Sequence, residues 1–464
     1  MKLAPAAERS RWSSRRETMP PKRSRRRPPS ARRGLRPAAS PPPREERLHR
    51  RVLPGGLTVA AEEIPGSRSV ALGIWIRCGS RHEPRSRAGL THFLEHMLFR
   101  GSRRRGALAL AKAIERIGGQ VDASTGKEST GLFARLQPEN VAPALALAAE
   151  IIAQPRLRPD LVEREKRVVI EEIRSYEDEP EESVYERMAG LLWPDHPMGR
   201  PILGYQETVR TLTPETIRRY HERRYRGSNV VVTAAGALDS ARFVDAAARI
   251  VDLPPGGGRG VRIPLPRPGR RGLSVRQPLT QTHLCLATRG PSYGERERYP
   301  VYVLNMILGA GPTSRLFRKI RESEGLAYSI HSYVDSFEDT GAFGIYLSVD
   351  PRNLGRSFRL LKKELSRMRR EGVKSWELEN AKEQMILMHL LSEESVSERM
   401  GRLALKEFLY RDQPTDRHII ERIRGVTAAD VERTVARVLD PRRFCLVALG
   451  PHAGNGIGID DVDF

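Results

Sequence analysis

The sequence predicts an α+β protein made of two homologous halves, and three observations carry that expectation. Strand-like and helix-like segments are mixed along the chain without the regular alternation of parallel βαβ units. Two stretches recur at nearly the same offset. Leu212–Gly236 matches Val426–Gly450 without a gap, 214 residues on, and Glu181–Met188 (EESVYERM) matches Glu393–Met400 (EESVSERM) at all but one position, 212 residues on. Between the copies, Pro254–Gly272 (PPGGGRGVRIPLPRPGRRG) holds too much proline and glycine for a regular element and reads as a linker. Similarity at a fixed spacing marks duplicated architecture.

Taken in order, the elements begin near Arg51. Val52–Gly56 and Leu57–Ala61 read as two strands around a Pro-Gly-Gly turn, and Val70–Arg77 (VALGIWIR) is a β-branched, apolar strand. Helical periodicity occupies Leu90–Phe99 and Leu108–Ile117. Gly118–Gly119 ends the second of these, and Val121–Leu136 returns to strand-like patterning. Long helices follow at Ala142–Ala153 and Pro159–Tyr176. Beyond the linker the pattern repeats: a strand at Thr282–Thr288, helices at Val301–Leu308 and Ser314–Glu322, strands to Val349 and long helices after Asn353. The expected organisation is a basic Pro/Arg-rich disordered tail (1–48), a first half (49–253), the linker (254–272), a second half (273–452) and a short tail (453–464).

Composition narrows the function classes. Sixteen Lys and Arg against four Glu fall within residues 1–50, about half of the formal charge of +23. A solvated arginine-rich tail accounts for that excess, and no aromatic-interleaved RNA-binding motif accompanies it, so nucleic acid is not the expected partner. Prolines at 20, 21, 28, 29, 37 and 41–43 break the amphipathic helix that an organelle transit peptide needs. Cys78, Cys285 and Cys445 are odd in number and form no CxxC pair, which excludes a thiolate zinc site and a disulfide framework. With no secretory signal and no apolar run of about 18 residues, a cytoplasmic protein that does not span a membrane is expected.

Chemistry concentrates in Gly89–Gly101 (GLTHFLEHMLFRG), which contains His-x-x-Glu-His. On a helix turning about 100° per residue, His92, Glu95 and His96 share one arc, while Phe93, Leu94, Met97 and Leu98 point elsewhere. Two imidazoles one turn apart can hold a single Zn²⁺, and the glutamate between them is placed to take a proton from water. Catalytic zinc takes a third protein ligand. The acidic helix EREKRVVIEEIRSYEDE offers several candidates: Glu165 and Glu172 lie seven residues apart on one face, and periodicity does not choose between Glu171 and Glu172.

HFLEHMLFRG followed by E-x-x-VVIEEI about 76 residues on resembles the pitrilysin/insulinase superfamily of zinc metallopeptidases, in particular its mitochondrial-processing-peptidase-like branch with single-chain bacterial members. The resemblance spans about residues 50–450. It implies one Zn²⁺ per chain held by His92, His96 and Glu172, Glu95 as general base, and Glu165 as the carboxylate supporting the ligands. It further implies two α+β halves, each an antiparallel sheet with helices on one face, forming a clamshell. The substrate would be a peptide or an unfolded polypeptide segment, and the protein a homodimer or a dimer with a related subunit. The second half has no His-x-x-Glu-His; its corresponding helix reads YPVYVLNMILG. It does carry GAGPTSRLFRKIRESEGLAYS, similar to the family's substrate-contact segment, which implies that Arg321 and Tyr328 reach the active site. Gly119–Phe133 resembles the edge strand that pairs with substrate backbone, with Asp122 where the family usually has Asn. Inactive family members typically lose part of His-x-x-Glu-His; here it is whole, which favours an enzyme.

Overall fold

The computed structural model of the chain describes residues 47–258, 263–409, 414–451 and 457–464. Of the expected basic tail, residues 1–46 lie outside the described residues, and Leu48 already opens the first strand. The strands gather into two sheets. The first contains β1 (Leu48–Val52), β2 (Thr58–Glu63), β3 (Val70–Ile76), β4 (Gln120–Thr125), β5 (Thr130–Leu136) and β6 (Val230–Gly236), in the order β1-β2-β6-β3-β5-β4. The second contains β7 (Arg271–Arg276), β8 (Thr282–Gly290), β9 (Ala327–Ser336), β10 (Gly341–Val349) and β11 (Cys445–Gly450), in the order β7-β11-β8-β10-β9. With β1 set aside the two orders agree strand for strand. The two copies of the long repeat end in β6 and β11, which hold equivalent places. The protein is α+β, with the duplication expressed in its topology.

Five details differ from expectation. The sheets are not purely antiparallel, since β2 runs parallel to β6 and β7 parallel to β11. A parallel pair needs a long crossover, and nearly all of each half lies between its two parallel strands. The Val52–Gly56 strand falls earlier, at β1, because residues 53–57 make the turn: Gly56 N donates to Leu53 O at 2.8 Å. The patterned stretch 121–136 is a hairpin, β4 and β5, closed where Gly126 N donates to Ser129 O at 2.8 Å. The linker yields to β7 at Arg271, two residues before the expected boundary. The last residues, expected as a tail, pack on the second half: Ile457 and Val462 are buried in its core and the Phe464 ring meets Phe444 at 5.5 Å.

The largest departure concerns the helices. Those of the first half include α1 (Leu90–Leu98), α2 (Ala107–Ile117), α3 (Val141–Ala153) and α4 (Pro159–Asp178). They cover one sheet face, where Leu72, Ile74 and Ile76 of β3 share one core with Phe93, Leu94 and Met97 of α1. The resemblance implied helices on one face, and the opposite face is covered as well, by a helix of the other half. The helix Val396–Leu409 lays Val396, Met400 and Ala404 against Ala71, Trp75 and Val231. Reciprocally, α5 (Pro180–Leu192) lays Val184, Met188 and Leu192 against Cys285, Ala287 and Val447 of the second sheet. These exchanged helices are the ones that carry the short repeat.

The sequence accounts for this. Side chains alternate between the faces of a strand, so Leu72, Ile74 and Ile76 enter one cluster and Ala71 and Trp75 the other. An uninterrupted apolar run such as VALGIWI is what a strand buried on both faces requires. Gly73 leaves room for the visiting helix, because a Cβ there would come within 2.5 Å of Met400 Sδ. An ion pair locks the contact: Arg399 Nε reaches Glu62 Oε2 at 3.1 Å, with the Glu62 side chain only 2% exposed. Among the described residues no helix is long and apolar enough to cross a membrane.

Met400→Ala empties the centre of this second interface. It is expected to lower the unfolding free energy by about 2–5 kcal/mol, measured by urea titration. Because the interface joins the halves, the loss should appear in one shared transition rather than in the first half alone.

Candidate metal centre

The site is built on α1. Gly89 precedes the helix with φ of 91°, a left-handed conformation that favours glycine, and a Cβ there would strike Leu203 O. The buried Glu83 carboxylate caps the helix, accepting from Gly89 N at 2.7 Å and Thr91 N at 2.6 Å. The Thr91 hydroxyl meets Tyr220 Oη at 2.7 Å, and Tyr220 Oη lies 3.1 Å from Cys78 Sγ. A carboxylate at a helix N-terminus satisfies free N–H groups and faces the positive end of the dipole. Burial nonetheless lifts the Glu83 carboxyl to about 7, outweighing those donors.

With its first turn held, α1 presents His92, Glu95 and His96 toward α4. The two imidazole rings lie 4.6 Å apart. Glu172 comes in from α4, with Oε1 3.6 Å from His92 Nε2 and Oε2 3.3 Å from His96 Nε2. One ligand atom from each of the three lies within 4.8 Å of the others. Glu171 points outward and pairs with Arg174 on the surface at 2.5 Å. Glu165, one α4 face-repeat earlier, accepts from His96 Nδ1 at 2.9 Å and is clasped by Arg100, whose Nη2 is 2.9 Å away.

The electrostatics fit a cation. Glu172 Oε2 is buried without a hydrogen bond of good geometry. A positive charge between the two imidazoles would satisfy it, and two histidines with one carboxylate are the donor set of a catalytic zinc site. A carboxylate on the remote nitrogen of a ligating histidine is the usual support for such a site, as Glu165 is for His96. Burial, reinforced by His96, pushes His92 down to about 4 and keeps it a neutral donor. Burial opposes charge on His96 as well, but Glu165 and Glu172 outweigh it and raise that imidazole to about 9. His96 and the nearby His92 hold Glu172 below the usual carboxylate range.

Glu95 stands beside this group, half-buried, with Oε2 accepting from Thr125 Oγ1 at 2.6 Å. Burial raises its carboxyl, and the Thr125 hydroxyl offsets part of that rise. Thr125 ends β4, the outermost strand of its sheet. Asp122 lies on the same strand and is exposed. Sequence reasoning missed both Glu83 and Thr125.

Arg321 and Tyr328 are brought to each other and not to the histidines. The helical segment expected at Ser314–Glu322 widens into a π-helix over Phe317–Ser323, and the Arg321 guanidinium sits 5.0 Å from the Phe317 ring centre and 5.8 Å from that of Tyr328. Tyr328 is 72% exposed, near the start of β9, which holds in the second sheet the place of β4 in the first. A further group, His389, Glu393 and Asp416, has ligand-type atoms equally close together. Its Glu393 is bound by Arg402 and approached by Arg399 at 3.9 Å, and the two guanidinium charges oppose a cation there.

Comparison with known proteins supports the same picture. Residues 58–206 match the family described as insulinase (peptidase family M16), and residues 211–385 match the M16 peptidase inactive domain. An uncharacterized zinc protease of Mycobacterium tuberculosis is 36% identical over 415 residues, covering 87% of this chain and 93% of that protein. A Bacillus subtilis protein also named an uncharacterized zinc protease is 34% identical over 408 residues, covering 88% and 99%. The crystal structure of a protease from Helicobacter pylori superposes with a TM-score of 0.82 at 21% identity, covering 87% of this chain and 99% of that one, a likeness of fold.

The cap on α1 predicts a pH signature. The folded-state value of Glu83 lies above the ordinary 4.5, so its contribution to stability is whole below about 4.5 and is lost as pH rises through about 7. Glu83→Gln carries no titrating group and should lose that slope. The gap in unfolding free energy between wild type and variant should change by on the order of 3 kcal/mol across that window and stay flat outside it, as read from denaturant titrations at each pH.

Proposed function

Because the chain belongs to the insulinase family of M16 peptidases, we propose that it is a zinc-dependent endopeptidase acting on peptides or unfolded polypeptide segments. The observation that carries this reading is the convergence of His92, His96 and Glu172, with the Glu95 carboxylate beside them and the open edge of β4 next to it. The names of the mycobacterial and Bacillus relatives support the choice of zinc.

His92, His96 and Glu172 would hold the ion, and Glu165 with Arg100 would keep the His96 ring oriented. Zinc, when bound, supplies Lewis acidity that polarises a scissile carbonyl and makes water easier to deprotonate. Substrate would add as a further strand on the free edge of β4, its backbone groups pairing with those of Gln120–Thr125. The Glu95 carboxylate takes the proton of the attacking water and delivers it to the leaving amine. Its raised affinity for a proton, caused by burial, suits that double duty.

Arg321 and Tyr328 belong, in this reading, to the active site of a second copy or a related subunit. They stand on β9 and its preceding turn, equivalent to the site-bearing edge of the first half, and their contacts are with each other rather than with α1. The Tyr328 hydroxyl would donate to the developing oxyanion and Arg321 would bind substrate carbonyls.

Glu95→Gln is expected to keep one equivalent of zinc and lose turnover by at least about 10²-fold, whereas Glu172→Ala should lose the metal itself; atomic absorption alongside a quenched-peptide assay separates the two. Retained zinc in Glu172→Ala together with loss in Glu171→Ala would reverse the third-ligand assignment. Tyr328→Phe should lower kcat by about 10²–10³ with zinc unchanged. Mixing that protein with Glu95→Gln should then recover activity, because a mixed dimer contains one intact site; no recovery, with mixed dimers demonstrated, would place Tyr328 outside the partner's site.

A further inference from the structure

Thr125 touches the proposed base directly. Its hydroxyl donates to Glu95 Oε2 at 2.6 Å, across 30 residues of sequence. The threonine is itself fixed by the hairpin it ends. It pairs across the hairpin with Thr130, whose hydroxyl lies 3.5 Å away and donates to Cys78 O at 2.8 Å. The following turn is pinned to the loop before α1: Ser80 N donates to Gly126 O at 3.1 Å and Arg81 N to Lys127 O at 2.9 Å.

The same turn is tied to the second half. Glu128 pairs with Arg81 and accepts from Glu338 N at 3.0 Å, while Arg81 Nη2 reaches Asp339 at 3.0 Å. The hydroxyl on Glu95 therefore projects from a point held by the loop preceding α1 and by both halves. A threonine has little χ1 freedom in a strand, so a fixed backbone there means a fixed hydroxyl.

We propose that Thr125 is a positioning residue for Glu95, holding its carboxylate in the orientation from which it takes the proton of water. The inference rests on the reading of Glu95 as general base. It adds that the strand on which substrate would pair is also the strand that orients the base, so seating of substrate along β4 and alignment of the carboxylate depend on one backbone segment. A carboxylate displaced by about 1 Å can cost on the order of 10²-fold in rate.

The test compares Thr125→Val, which keeps the shape and removes the hydroxyl, with Thr125→Ser, which keeps the hydroxyl. For Thr125→Val we expect kcat to fall by about 10- to 10²-fold, with KM, one equivalent of zinc and melting temperature unchanged. The Kd of a fluorescent peptide for zinc-free protein, measured by anisotropy, should also be unchanged. Thr125→Ser should recover most of kcat. Should the valine disturb the hairpin and lower the melting temperature, Thr125→Ala replaces it and the serine rescue decides. Unchanged kcat in Thr125→Val overturns the proposal. So does a loss confined to KM and peptide Kd, which would make Thr125 a strand-pairing residue, and so does a serine variant as slow as the valine one. Failure of the underlying reading looks different: wild type itself would bind no zinc, or Glu95→Gln would turn over normally.

Discussion

A sheet with apolar side chains on both faces has to be covered twice, and the rest of this structure depends on how that is met. Each half supplies helices for one face of its own sheet and sends one helix across to the bare face of the other. The contact fixes the halves relative to each other through cores that contain Trp75 and Met400 on one side and Met188 and Tyr346 on the other. Everything built at the meeting of the halves inherits that fixity, including the turn after β4, where Arg81, Glu128 and Asp339 come together.

Within this frame the candidate metal centre is assembled from three elements with distinct tasks. The helix α1 carries both imidazoles and the Glu95 carboxylate, and its first turn is secured by Glu83. The helix α4 carries Glu172 toward the ring nitrogens and Glu165 toward the back of His96. The strand β4 brings Thr125 to Glu95 and leaves an edge open. Charge is matched locally: a neutral His92, a carboxylate pair on His96, and Arg100 behind Glu165. A cation placed among these groups would satisfy Glu172 Oε2, which is buried without a hydrogen bond of good geometry.

Much of this was legible in the sequence, and the parts that were not share a physical reason. His92, Glu95 and His96 lie within one helical turn, so their common face follows from 3.6-residue geometry alone. Glu171 and Glu172 are adjacent on one helix, and only the position of α1 separates them: one meets the imidazoles, the other Arg174. Thr125 and Glu83 act through contacts set by the chain path, and nothing in the residue types around them announces a partner 30 or 8 residues away. The duplication was visible at offsets of 214 and 212, and so was the run VALGIWI. Such a run suits a strand covered on both faces, but no local pattern names which helix covers the second. The same limit applies to Arg321 and Tyr328, which spacing relates to each other and not to α1.

The exchange of helices also bears on how such a chain could arise. A lone half would have a sheet face without cover and a helix with an apolar side and nowhere to bury it. Two identical copies trading helices meet both needs at once, a twofold arrangement that closes on itself. A covalent bridge such as residues 254–270 then turns association between chains into a contact at fixed effective concentration. Once joined, the copies no longer need to be identical. One could keep His92, Glu95 and His96 while the other, freed from binding a metal, filled the corresponding helix with Tyr302, Asn305 and Met306 and retained the task of holding its sibling in place.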